Sequence, residues 1–156
     1  MYGIRESRIS KKKFIVELIS IFVIRSKIFY LKECKKMKYE WIDQYLLEKK
    51  GVTKDLKKEW NWIRYLLGDK MFAAICLDEC DKPCYITLKL DPLEGDFLRQ
   101  QYADIIPGYY MNKEHWNSIK PDGNVPDELM KNMLDKSYHL ILSKLSKKKQ
   151  QELLQG

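Results

Sequence analysis

Only two histidines and seven glycines occur in this chain of 156 residues, and the two shortages remove a good deal of chemistry. The glycines are scattered at turns, so no phosphate-cradling loop, dinucleotide fingerprint or nucleophile elbow can be assembled from them. A general base needs a nucleophile or an orienting partner within reach, and the one other imidazole, His139, falls on a different segment from His115. Long apolar runs are also missing. Phe14 to Ile24 is interrupted by Glu17, falls short of the roughly 20 apolar residues that span a bilayer, and is followed by Arg25, Ser26 and Lys27 where a small-residue cleavage site would stand. Without a secretory signal, Cys34, Cys76, Cys80 and Cys84 are expected as free thiols in the cytoplasm. Cys76, Cys80 and Cys84 lack the second ligand pair of a zinc knuckle. No catalytic residue, metal or cofactor is expected.

Positive charge is in excess, but in one place. Residues 1–36 hold ten Lys/Arg against three Glu, whereas residues 37–156 hold 19 basic and 19 acidic side chains. The whole surplus of +7 therefore sits in an N-terminal extension, with Phe14, Leu18, Phe22 and Phe29 near one helical stripe. Such a basic amphipathic arm can meet phosphate, a membrane surface, a protein partner or a second copy of the chain. Met37 begins what reads as a separate domain, 37–156.

Tyr39–Lys50 carries Trp41, Ile42, Tyr45 and Leu46 on a helical face, and Gly51 is placed to end it. Aromatic and β-branched content then favours a strand over Glu59–Leu67. Gly68-Asp69 turns it into Lys70–Leu77, and a further turn leads to Cys84–Leu90. Cys84, Ile86, Leu88 and Leu90 are expected to face helices, with Tyr85, Thr87 and Lys89 facing outward. Lys58, Trp60, Trp62 and Arg64 share a strand face, where cations interleaved with indoles would suit nucleobases if the face is open. Asp91, Pro92 and Glu94 open a helix as cap, first-turn proline and capping-box acid. Pro107–Asn112 and Trp116–Lys120 read as a second strand pair. Pro126 starts a long helix with the stripe Met130, Met133, Leu134, Ser137, Tyr138, Ile141, and Ser146 caps a last basic one. The expected class is α+β, an antiparallel sheet with helices on one face in the order α-β-β-β-α-β-β-α-α.

Asn112, Lys113, His115, Trp116, Asp122, Gly123, Ser137 and Tyr138, together with ITLKLDP at 86–92 and FLRQQY at 97–102, resemble the YjbR/MmcQ family from about Met37 to Leu154. The resemblance implies a frataxin-like (CyaY-like) α+β domain with double-winged, lysine-bearing hairpins that contact DNA. Frataxin-like shape suggests iron, but the first helix offers only Glu40, Asp43 and Glu48, too few for an acidic ridge. Within the family pattern, His115, Trp116, Asp122, Gly123, Ser137 and Tyr138 are expected to be structural. Candidate nucleic-acid contacts are Lys89, Arg99, Asn112 and Lys113, with Lys120, Lys147 and Lys148. A non-enzymatic DNA-binding protein is thus the leading expectation. The rivals are a protein-interaction or adaptor module that uses the open sheet face and the arm, and a small-ligand or enzymatic site around His115.

Overall fold

The computed structural model describes residues 37–155 and the isolated position Ser20; the expected N-terminal helical arm, 1–36, and the charge it carries lie otherwise outside the described residues. The described domain is α+β. Its elements are α1 (Ile42–Leu47), β1 (Val52–Lys57), β2 (Trp62–Leu67), β3 (Lys70–Leu77), β4 (Pro83–Lys89), α2 (Pro92–Gln101), β5 (Ile105–Pro107), β6 (Trp116–Ile119), α3 (Asp127–Lys144) and α4 (Lys147–Gln155). The strands form one antiparallel sheet in the order β1-β2-β3-β4-β6-β5.

One strand more is present than the sequence pattern predicts. Val52–Lys57 is an edge strand, exposed or half-exposed along its whole length, so it has no buried side to produce an alternation. Its charges Lys54, Asp55 and Lys57 also guard the edge against further pairing. β2 starts later than expected, because Lys58–Asn61 makes the β1–β2 turn. There Trp60 N–H donates to the Lys57 carbonyl at 3.2 Å and Asn61 takes a left-handed φ of 54°. β5 is shorter than expected and ends at Pro107, which has no N–H to offer a ladder.

α3 lies on the sheet through Met130, Met133, Leu134, Tyr138 and Ile141, all buried against Tyr65, Ile75, Ile86 and Leu88. Each such apolar side chain contributes roughly 1.5–3 kcal/mol by leaving water. Ser137, fully buried on the same stripe, has a different task. Its hydroxyl accepts from Lys89 N–H at 2.9 Å and donates to the Phe72 carbonyl at 2.5 Å, stitching β3 to β4 through a helix side chain. Tyr138 packs edge-on against Phe72 and donates to the Lys50 carbonyl at 2.9 Å. That carbonyl immediately precedes Gly51, whose φ of +72° lets the chain turn from α1 into β1 beneath Leu153 of α4.

The helix starts follow the sequence. Asp91 accepts from Leu93 N–H at 3.0 Å, and Ser146 accepts from Lys149 N–H at 3.3 Å. Glu94, expected as the capping-box acid, instead reaches across to Lys136 of α3. The Asp122-Gly123 turn sits on Asp104, whose carboxylate accepts from Asn124 N–H at 2.9 Å. A Cβ on Gly123 would meet the Asp104 Cβ at 2.7 Å, so the turn admits no side chain there.

Candidate nucleic-acid interface

Opposite the helices, the second face of the sheet is built by alternation along the strands, interrupted by bulges at Tyr65/Leu66 and Cys76/Leu77. Lys57 pairs with Trp62, Trp62 with Cys76 and Cys76 with Tyr85; one step along, Asp55, Arg64, Ala74, Thr87 and Ser118 follow one another across the sheet. Cys84 departs from its expected direction. A bulge between Cys76 and Leu77 sets it beside Trp62 and Cys76, where its Sγ donates to the Cys76 carbonyl at 3.3 Å. Burial pushes the Cys76 thiol up to about 12 and raises that of Cys84 too, so both are poor nucleophiles.

This face is not simply open to water. After Gly108 the chain leaves the sheet and folds back over it, with Tyr109 N–H donating to Ser118 Oγ at 3.0 Å. The Tyr109 ring stacks on Tyr85 at 5.0 Å between centroids; Tyr110 meets Tyr109 at 4.7 Å and Trp62 at 5.8 Å; Trp62 meets Trp60 at 5.5 Å. Trp62 is buried, but Trp60 (52% exposed), Tyr109 (57%) and Tyr110 (58%) carry their rings to the surface.

Cations stand beside these rings. Lys57 Nζ and Arg64 Cζ lie 5.8 and 5.9 Å from the Trp60 ring, and Lys89 Nζ lies 5.8 Å from the ring of Trp116, its direct partner across β4 and β6. Burial, and then Lys144, lower the Lys89 ammonium. Burial and then Tyr109 raise the Tyr85 phenol, while Lys120 is near enough to act on it in the opposite sense. Arg64 grips Asp55 through two bonds of 2.8 and 2.5 Å, and Lys120 lies 3.3 Å from Asp104.

The sequence candidates therefore separate. Lys89 and Lys120 belong to the ring-bearing face, and Lys113 is exposed in the connection that follows Tyr109, Tyr110 and Met111. Arg99 is held elsewhere, on α2, by Asp96 and Asn117, with its side chain 13% exposed. Lys147 and Lys148 are exposed on α4, the helix that covers Gly51 at the start of β1, across the sheet from β5 and β6. Asn112 closes the connection, its Oδ1 accepting from Glu114 N–H at 2.9 Å and His115 N–H at 3.4 Å. His115 takes part through its backbone, its carbonyl accepting from Leu90 N–H at 2.9 Å. Among the described residues no group of three or more His, Cys, Asp or Glu could hold a metal ion, and no helix is long and apolar enough to cross a membrane.

Sequence reasoning missed Tyr109, Tyr110 and Met111 as surface-forming residues, because Pro107–Asn112 reads as a strand. The signal was the Pro107-Gly108 pair, a turn former that ends β5 ahead of two aromatics.

Comparison with known proteins places this architecture. The family model described as YjbR matches residues 47–140. The chain belongs to the YjbR family. The uncharacterised protein YjbR of Escherichia coli K12 is 30% identical over 112 residues, spanning 72% of this chain and 93% of its own length. The uncharacterised protein YyaQ of Bacillus subtilis is 40% identical over 113 residues, 65% of this chain and 95% of its own. Among solved structures, the Deinococcus radiodurans protein DR2400, a DUF419 domain, matches with a TM-score of 0.65 at 30% identity over 72% of this chain and 84% of that one. A Pseudomonas syringae protein matches at 0.55 and 25% identity over 67% and 98%. The YjbR match includes β1 to β6 and most of α3, and so contains the whole aromatic face, Lys57 included.

Proposed function

We propose that this YjbR-family domain is a non-enzymatic DNA-binding module that receives single-stranded DNA across the ring-bearing face of its sheet. The observation that carries the reading is the placement of cations against aromatic rings on one face: Lys57 and Arg64 at Trp60, Lys89 at Trp116, Lys120 by Tyr85. Single-strand binders combine positive groups that follow the backbone with rings on which bases stack, each stack worth roughly 1–3 kcal/mol. Three exposed rings carried by a turn and a loop over the sheet face suit splayed bases better than the closed stack of a duplex. Lys113 beside the tyrosine loop extends the positive rim, and the arm at 1–36 adds sequence-independent attraction to phosphate. The thiols Cys76, Cys80 and Cys84 are free, which supports a cytoplasmic site of action.

Fluorescence anisotropy of labelled single-stranded and duplex oligonucleotides, titrated with the full chain at several salt concentrations, tests this. The single strand is expected to bind more tightly, and Trp60→Ala with Tyr110→Ala to weaken it by about 10-fold or more from lost stacking. A duplex preference untouched by those substitutions would refute it. A second reading, capture of a protein partner, is favoured by the balanced charge of residues 37–156; retention of affinity-neutral DNA behaviour in every variant would favour it.

A further inference from the structure

A groove of about 330 Å³ opens on the ring-bearing face, lined by Trp60, Trp62, Leu77, Tyr110 and Met111. Trp62 forms its floor, meeting Trp60 at 5.5 Å on one side and Tyr110 at 5.8 Å on the other, so two exposed rings stand over a buried one. Both walls are pre-set. The turn that carries Trp60 is tied to the β3–β4 connection: Asn61 Nδ2 donates to the Asp78 carbonyl at 2.9 Å and to Asp81 Oδ1 at 3.0 Å, and the Asn61 carbonyl accepts from Leu77 N–H at 2.9 Å. The Tyr110 wall is set by its neighbour Tyr109, stacked on Tyr85 and bonded to Ser118. Walls fixed before binding spare a ligand the cost of ordering them.

The volume lies at the small end of ligand sites, room for one base and not for a run of them. At the Trp60 side stand Lys57 and Arg64, the latter held by Asp55. Lys57 is paired with Glu59 at 3.3 Å, whose side chain is 69% exposed. An exposed pair of this kind contributes about 0–1 kcal/mol, so a phosphate can displace the carboxylate. We infer that the groove is a mononucleotide clamp: one nucleobase enters between Trp60 and Tyr110 over Trp62, and its 5′-phosphate lies against Lys57. The inference rests on the proposed function and deepens it, because it gives the bound strand one base-reading position and a fixed direction across the sheet.

The test uses the full, 15N-labelled chain and follows its four tryptophan indole N–H signals during titration with deoxyadenosine 5′-monophosphate, thymidine 5′-monophosphate, the free nucleosides and ribose 5-phosphate. The signals of Trp60 and Trp62 are expected to move saturably with the monophosphates while that of Trp41, on the helical side, stays. Ribose 5-phosphate should leave all four in place. Removal of the phosphate should weaken binding several-fold, as should Lys57→Gln, and Tyr110→Ala should weaken it about 10-fold through lost stacking. Oligonucleotide anisotropy on the same samples separates the two proposals. If single strands bind through the face but monophosphates move neither indole, the clamp is wrong and the proposed function stands. If a proline-rich peptide moves the Trp60 and Trp62 signals and nucleotides do not, the groove is a peptide site and the clamp is overturned.

Discussion

Replacing Ser137 by alanine removes one oxygen from the centre of the fold. That hydroxyl is fully buried and serves two backbone groups at once, accepting from Lys89 N–H and donating to the Phe72 carbonyl. Alanine leaves a donor and an acceptor without partners in a site closed to water, and each unsatisfied buried group costs about 1–3 kcal/mol. The strands can relax slightly toward each other and recover part of this, so the net loss is set at about 2–4 kcal/mol. A domain of this size loses roughly 4 °C of Tm per kcal/mol, which gives a fall of about 8–16 °C. Urea denaturation of wild-type and Ser137→Ala protein, with the slope checked for constancy, measures the difference directly. Ser137→Thr, which keeps the hydroxyl but adds a methyl, separates the bond from the packing. A loss below about 0.5 kcal/mol for alanine, the size expected of a surface change, would refute the bridging role.

Three further outcomes follow from the same contacts. Gly123→Ala drives a methyl into the Asp104 Cβ and should destabilise by about 1–3 kcal/mol; a thermal melt unchanged from wild type would contradict it. Burial alone would raise the Asp43 carboxyl, but Lys54 at 2.6 Å and the Tyr65 hydroxyl at 2.8 Å outweigh it and hold the group below its ordinary value of 3.8. A lowered folded-state value means stability that is complete above the unfolded carboxylate range and is lost as pH falls through the lower folded-state value. The stability gap between wild type and Asp43→Asn should therefore be present at pH 7 and shrink below about pH 4; urea midpoints that differ equally at both ends would rule this out. Finally, Lys147→Gln with Lys148→Gln, on α4, should leave single-strand affinity within about two-fold, whereas Lys57→Gln with Lys120→Gln should lower the salt slope by about 0.7 per cation removed; anisotropy at several salt concentrations distinguishes them.

The long helix and the capped one were legible because their signals are local: a stripe from Met130 to Ile141 with period 3.6, and Asp91-Pro92 at a start. The α+β class followed from the order of those segments. Val52–Lys57 was hidden because an edge strand without a buried side has no alternation to display. The binding face was half legible. Trp62 and Arg64 were expected on one face and are there, but Trp60 reaches it from a turn, and Tyr109 and Tyr110 arrive from a loop that crosses the sheet. Long-range return of this kind depends on Gly108 hydrogen bonding to Trp116 and on Tyr109 finding Ser118, contacts that no local pattern encodes. The family-pattern residues divide along the same line. Ser137 satisfies backbone groups of two distant strands, whereas Asn112 satisfies those two and three residues ahead in its own tight connection.

We propose binding of nucleic acid by the ring-bearing sheet face, and not by the helical ends or the arm alone. Its most direct measurement is single-strand anisotropy with the full chain and with one variant, Trp60→Ala/Tyr109→Ala/Tyr110→Ala, at about 0.15 M salt, where screening confines exposed charges to roughly 8 Å. These three side chains are more than half exposed, so the variant is expected to keep its fold, checked by its circular dichroism and melt. Loss of affinity by 10-fold or more, from stacking worth roughly 1–3 kcal/mol per base, is the predicted result. Unchanged binding by a folded variant would assign the contact to the basic arm and contradict the account.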